Sequence, residues 1–274
     1  MFGGFSTKET IEVKGDFLKK NIYTNTQLIK KISEHISFFP TAINSPEEIA
    51  LEGTSNQQRN KAINKNISIV SEKYLKKIQE ISTILKQRNK AIKSKANFQI
   101  WNPQLAKTAT TIWEKKRSYV KEINKEMEKE TQKLNLKFKA TIKIEKTEKN
   151  EEEVLKKIIE AEKKDKERGH TTIGPQKDKI RYFLNEREIK SAASQGEKSI
   201  FFSILKKGEA NLILKHTTKE PTILLDDIFS KLDKKNIDMV LNIFKENTQT
   251  IITHTQTIKT EHKINEININ EQAS

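Results

Sequence analysis

Cysteine is absent from this chain of 274 residues. That absence excludes disulfides, thiolate catalysis and cysteine-based metal sites together. Long apolar runs are missing too, and none approaches the roughly 20 residues needed to cross a bilayer. The start, Met1-Phe2-Gly3-Gly4-Phe5, has neither a charged leader before an apolar stretch nor a small-residue cleavage site, so no secretory signal is expected. A cytoplasmic location without membrane contact follows as the expectation. Internal repeats are lacking. Hydrophobic residues make up 34% and charged residues 32%, a mix that suits long solvated helices attached to a smaller core.

What is abundant is positive charge. Lys and Arg total 52 against 37 Asp and Glu, a net charge of +15. Such an excess favours polyanions, because each phosphate neutralised releases condensed counterions. The same excess also follows from a Lys-, Ile- and Asn-rich composition of the kind AT-rich genomes impose. Charge by itself therefore leaves nucleic-acid binding open.

The opening stretch reads as β-rich. Thr10 to Gly15 alternates and stops at a glycine, and Ile36-Ser37-Phe38-Phe39-Pro40 is a short apolar run ended by proline. Ser45-Pro46-Glu47-Glu48 has the form of a helix start. From about Ile67 the pattern turns helical, with Ile67, Val70, Tyr74, Leu75, Ile78, Ile81 and Leu85 at steps of three and four. Asn102-Pro103 opens a second helix with the stripe Leu105, Ala109, Ile112, Trp113, Val120, Ile123 and Met127. Two such helices predict an antiparallel arm or lobe. Helical spacing assigns Trp113 to the core; Trp101 precedes the helix and stays open to a base-stacking role.

The period then changes to two across Leu134, Leu136, Phe138, Ala140, Ile142 and Ile144, which predicts a half-buried strand. Val154, Leu155, Ile158 and Ile159 give another helix, and the charges from Glu151 to Lys166 read as its solvated face. Ile180, Tyr182 and Leu184 alternate as a strand before a polar turn at Asn185, and Ser194 to Lys215 can form a helix. Thr222-Ile223-Leu224-Leu225 reads as a parallel strand buried on both faces. A helix from about Lys234 to Glu246 and a strand over Thr250–Thr253 complete a β-α-β unit.

That strand ends in Asp226-Asp227, followed by Ser230-Lys231-Leu232-Asp233. An apolar strand delivering two carboxylates to its tip is how nucleotide hydrolases hold magnesium and orient water. Upstream, Ser194-Gln195-Gly196 starts a helix, offering a hydroxyl, an unobstructed backbone and unpaired amides to an anion. In isolation an ordinary serine cap with a nearby acid is the better account of that triplet. The order decides: Ser-Gln-Gly, about 30 residues of helix and loop, then Asp-Asp, then Ser-x-Leu-Asp.

This order resembles the signature motif, Walker B strand and D-loop of an ABC-type ATPase head, and within that group it is most similar to the RecF family of recombination mediators. Arg168-Gly169-His170-Thr171-Thr172-Ile173-Gly174-Pro175-Gln176-Lys177-Asp178 resembles the family's Gly-x-Thr-x-x-Gly-Pro-His-Arg-Asp segment. Leu85-Lys86-Gln87-Arg88-Asn89 and Trp101-Asn102-Pro103-Gln104-Leu105 resemble its helical lobe, and the similarity runs from Phe17 to Thr255. The resemblance implies an α/β fold, a partial SMC-like ATPase head with an inserted helical lobe. Residues 1–53 would be the remainder of the N-terminal head lobe, 54–132 the helical lobe and 133–274 the C-terminal part of the head. ATP and Mg²⁺ are the implied cofactors. Asp226 is implied to organise the metal and Asp227 to act on water. Ser194, Gln195 and Gly196 would contact the γ-phosphate of ATP held by the opposite subunit, and Asp233 would communicate across that interface. His254 stands 27 residues after Asp227, where such ATPases can place a switch histidine; threonine is commoner there, and the residue reads as a solvent-facing loop residue.

The family's phosphate-binding loop, Gly-x-x-x-x-Gly-Lys-Ser/Thr, has no counterpart, because none of the eight glycines stands in that arrangement. The N-terminal part of the head is expected to be absent, leaving one face of strand Thr222–Leu225 uncovered and prone to association. Gln176-Lys177 stands where His-Arg is usual, and Ser199 follows Lys198 where arginine is usual. The implied function is a DNA replication and recombinational repair factor. It would bind single-stranded, gapped or duplex DNA with ATP, as a dimer or with a complementing P-loop chain. With other recombination mediators it would support recombinase loading and the SOS response. A non-catalytic DNA-binding fragment, or a degenerate gene product without ATPase activity, is the alternative.

Overall fold

The computed structural model describes residues 11–15, 20–24, 26–28, 40–50, 53–145, 147–148, 150–230, 232–245, 249–255, 260–262, 264–265 and 267. The chain divides into two compact units, Met1–Phe39 and Pro40–Ser274. In the first, strand β1 (Ile11–Gly15) pairs antiparallel with β2 (Lys20–Thr24), which pairs with the short β3 (Gln27–Leu28). Thr10 and the apolar run Ile36–Phe39 lie outside the described residues.

The second unit is α/β. Its parallel sheet has the order β4 (Thr41–Asn44), β8 (Thr222–Asp226), β9 (Thr250–Thr253). Between β8 and β9 lies helix α9 (Lys234–Phe244), so the expected β-α-β unit is present. Ile223 and Leu225 are fully buried, whereas Leu224 on the opposite face is only half-buried and its neighbour Ile251 is 47% exposed. The strand is thus buried on one face, not on both as its continuous apolar run suggested.

After β4 the short helix α1 (Pro46–Ala50) leads to α2 (Asn56–Val70), whose start is fixed by a capping box between Ser55 and Gln58. The single helix expected from Ile67 onward is interrupted. Ser71 is extended (φ −149°, ψ 98°), ends α2, and caps α3 (Glu72–Lys93) by accepting from the Tyr74 amide. Serine can satisfy the backbone locally, so the apolar stripe continues across a break that periodicity alone does not reveal. A 3-10 turn (Gln99–Trp101) then reverses the chain into the long α4 (Asn102–Lys133).

The strand expected from Leu134 begins only at Ala140. Residues 134–136 close α4 instead: Asn135 is left-handed (φ 51°) and the Leu136 amide reaches back to the Thr131 carbonyl. The true strand, β5 (Ala140–Glu145), pairs antiparallel with β6 (Lys179–Leu184). A two-residue turn at Asn185-Glu186, both with positive φ, leads to β7 (Arg187–Glu188). Helices α5 (Glu151–Glu160) and α6 (Glu162–Arg168) lie between β5 and β6, and the short α7 (Ile189–Ala192) follows β7. Helix α8 (Gln195–Thr217) runs through the centre and is buried on nearly every side from Ser199 to Ala210. Its Phe201 and Phe202 meet Tyr182 of β6 edge-to-face at 5.8 and 5.4 Å. No helix among the described residues is long and apolar enough to cross a membrane.

Two buried ion pairs join the helical lobe to the segment before β6. At one end, Arg88 donates to Asp165 (2.6 Å), Thr171 (2.8 Å) and Asn102 (3.1 Å). At the other, Lys116 donates to Asp178 (2.6 Å) and to Asn60 (2.6 Å), and Trp113 Nε1 donates to the second Asp178 oxygen at 2.7 Å. Trp113 is therefore core, as its spacing predicted. Asp165 is 1% exposed, so the Glu151–Lys166 charge run is not wholly a solvated face. Between the clamps Gly169 (φ 69°) and Gly174 (φ 134°) take conformations that favour glycine. Burial raises the Asp178 carboxyl and lowers the Lys116 ammonium from their usual ranges, each opposed by the partner's charge. Replacing Lys116 with Met leaves Asp178 buried and unpaired, and is expected to cost about 3–5 kcal/mol in urea unfolding. The Lys116→Met, Asp178→Leu double variant should recover part of that. A loss below about 1 kcal/mol in the single variant would show that the pair is not a structural clamp.

Candidate functional site

Strand β8 carries its carboxylates where expected, at the C-terminal tip of the parallel sheet. Asp226 is exposed and lies opposite Thr253 of β9, whose hydroxyl donates to one Asp226 oxygen. Asp227 leaves the strand in a left-handed conformation (φ 45°), its amide donating to the Thr253 carbonyl at 3.1 Å. A non-glycine residue held at positive φ carries strain, which is common where a side chain must be aimed. Ile228 and Phe229 are buried directly after it and anchor the turn.

His254 does not face solvent, contrary to its reading as a loop residue. Its side chain is 11% exposed, its Nδ1 lies 3.7 Å from Asp227 Oδ1, and its ring stands edge-on to Phe229 at 6.0 Å. Both Nδ1 and that Asp227 oxygen are buried without a hydrogen-bond partner. Two such atoms facing each other just beyond hydrogen-bond range leave room for a shared partner or a small closure. The signal for this placement was the parallel register, which sets the end of β9 beside the end of β8.

The second group forms where two helices begin. Ser194 caps α8 through a closed box: its hydroxyl accepts from the Glu197 amide (3.3 Å), and Glu197 accepts from the Ser194 amide (2.8 Å). The ordinary capping role is thus realised, with Gln195 exposed beside it. Asp233 caps α9 by accepting from the Asn236 amide at 2.8 Å. The two starts adjoin, for a Cβ placed on Gly196 would fall 2.5 Å from Asn236 Nδ2. Ser194, Gln195, Gly196 and Asp233 therefore share one surface region, which sequence order alone did not establish. Asn236 was not singled out from the sequence.

As a donor set, Asp226, Asp227 and Thr253 supply the oxygen ligands a magnesium ion takes, whereas His254 offers only ring nitrogen. Among the described residues no group of three or more His, Asp or Glu side chains could hold a metal alone. The tip fits a partial magnesium site, to be completed by phosphate, water or other protein groups. No hydrogen bond or ion pair among the described residues joins this tip to the Ser194–Gly196 turn.

Gly196→Ala is expected to change the unfolding free energy by less than about 1 kcal/mol, because the Asn236 amide it meets is the end of a flexible side chain and alanine is the better helix former. In an Asn236→Ala background the same substitution should stabilise by up to about 1 kcal/mol, as read by urea unfolding. A loss of about 2 kcal/mol or more in both backgrounds would mean that something other than Asn236 requires the glycine.

No protein-family model matches the chain. It is 30% identical over 248 residues to the DNA replication and repair protein RecF of Clostridium perfringens, covering 86% of this chain and 68% of that protein. With the protein of the same name from Clostridium beijerinckii it shares 28% over 246 residues, 86% of this chain and 66% of the relative. The chain thus spans about two thirds of the length of these curated relatives. Among solved structures, it superposes on the recombination mediator protein RecF-ATP in the RecFOR pathway with a TM-score of 0.79 at 24% identity, over 92% of this chain and 72% of that one. The RecF-ATPrS structure gives 0.76 at 22%, over 91% and 71%. The α/β, ABC-ATPase-like head fold expected from the sequence is the fold of these structures.

Proposed function

We propose, because the chain belongs to the RecF family of DNA replication and repair proteins, that it acts in replication and recombinational repair as the signature-bearing part of an ATP-binding head. The adjoining starts of α8 and α9 carry this reading. They gather Ser194, Gln195, Gly196 and Asp233 on one surface, the edge that an opposing head would meet. ATP held by the opposing head would present its γ-phosphate to this edge, and nucleotide with Mg²⁺ held at the Asp226-Asp227 tip by a complementing P-loop would supply the phosphate anhydride to be cleaved. Asp226 would hold Mg²⁺ through water. Asp227 would polarise the attacking water, with His254 Nδ1 3.7 Å from the same carboxylate and brought into hydrogen-bond range only by a small closure. Gln195 and the amides at the start of α8 would meet the γ-phosphate, and Ser194 would have to redirect its hydroxyl from Glu197 to join them.

In the cell, the chain would be cytoplasmic and would bind duplex, gapped or single-stranded DNA with ATP. Together with other recombination mediators it would support recombinase loading and the SOS response. A P-loop would come from a complementing chain or segment. The closed Ser194–Glu197 box and the lack of a P-loop glycine pattern favour a second reading, a non-catalytic DNA-binding part.

Single-turnover ATP hydrolysis in an equimolar mixture with a P-loop-bearing RecF chain tests the first reading. Ser194→Arg in this chain should slow the reaction at least tenfold, by blocking the composite site. A rate untouched by that substitution, together with salt-sensitive DNA binding indifferent to ATP, would establish the second.

A further inference from the structure

From Ile81 through Trp113 the sequence holds Lys86, Arg88, Lys90, Lys93, Lys95 and Lys107 but no Asp or Glu, in a chain where 37 of 274 residues are acidic. This stretch forms the distal half of α3, the turn Gln99–Trp101 and the first turns of α4. The proximal half of α3 is different. There Lys76 pairs with Glu72 at 2.7 Å and Lys77 with Glu80 at 2.7 Å. Past Glu80 this local neutralisation stops.

Arg88 is spent internally on Asp165 and Thr171. Lys86, Lys90 and Lys93 stand at i, i+4 and i+7, so they form one exposed stripe, and Lys95 follows where the chain turns. None of these four lysines makes an ion pair among the described residues. Like charges at such spacing repel and weaken a helix, a cost that a polyanion along the stripe would offset. Nearby on α6 the exposed Lys163, Lys164, Lys166 and Arg168 outnumber the exposed acid Glu167. A second acid of that helix, Glu162, is engaged by the side-chain amides of Gln99 (3.2 Å) and Asn102 (2.8 Å). The platform is firm: Phe98 is 3% exposed, with Arg88 4.9 Å and Lys166 5.5 Å from its ring centre.

We infer that the distal end of the α3–α4 lobe is a nucleic-acid contact, with Lys86, Lys90, Lys93 and Lys95 set against the phosphate backbone of duplex DNA. The inference rests on the DNA-repair reading above and adds to it which lysines meet phosphate. A helix-borne stripe of point charges without base-reading amides predicts affinity without sequence preference.

The test is fluorescence anisotropy with a labelled duplex across a salt series. It compares the full chain, Lys86→Gln/Lys90→Gln/Lys93→Gln, and a charge-matched control, Lys61→Gln/Lys73→Gln/Lys125→Gln. Unchanged melting establishes that the variants are folded. The stripe variant should bind roughly tenfold or more weakly, with a log K against log salt slope shallower by about 2–3, and the control should move far less. Duplex binding by the full chain with equal slopes in all three proteins would overturn the inference while leaving the DNA reading intact, and would turn the stripe toward an acidic protein surface. Equal losses in stripe and control would also overturn it, showing a net-charge effect. No salt-dependent binding by the full chain would remove the DNA reading and the inference together.

Discussion

The buried pair between Lys116 and Asp178 is the constraint from which the arrangement of the second unit follows. A lysine in the middle of a long helix is placed in the interior with its ammonium on one carboxylate, one amide and, at 3.3 Å, the Pro175 carbonyl. Such a site tolerates few alternatives, because a shift of one residue would strand a charge out of water. It fixes where α4 meets the chain entering β6. Tyr182 of β6 then sets Phe201 and Phe202, and those fix α8, whose first turn bears Ser194, Gln195 and Gly196. The Arg88–Asp165 pair closes the other end of the same segment. The family-like Gly-x-Thr-x-x-Gly-Pro run is, in this structure, a fastening between lobe and head.

Legibility in the sequence followed burial. The β8-α9-β9 unit, the Asp226-Asp227 tip and the start of α8 were readable, since apolar runs, capping residues and helical spacing act locally. The break at Ser71 and the false strand over Leu134–Phe138 were not, because side-chain pattern is blind to a cap that re-routes the backbone. Arg88, Lys116 and Asp165 were hidden for a second reason: a charged residue reads as solvated until its partner, far away in sequence, is known. His254 belongs with them, for only the pairing of Asp226 with Thr253 sets it beside Asp227. The proximity of Gly196 and Asn236 likewise arises from helix packing and has no sequence signal of its own.

These facts describe a chain whose catalytic-looking groups are ready but incomplete. Among the described residues the carboxylates at the sheet tip are too few to hold a metal alone, and the Ser194–Gly196 turn is closed upon itself by Glu197. Both features fit an element that meets nucleotide only when another protein segment presents it. The most direct measurement is equilibrium binding of a fluorescent ATP analogue with Mg²⁺ to this chain alone, to a P-loop-bearing RecF chain alone, and to their mixture. Our account predicts no saturable binding by this chain alone, and tighter binding by the mixture than by the P-loop chain. Tight saturable binding by this chain alone, or a mixture no tighter than the P-loop chain, would contradict it.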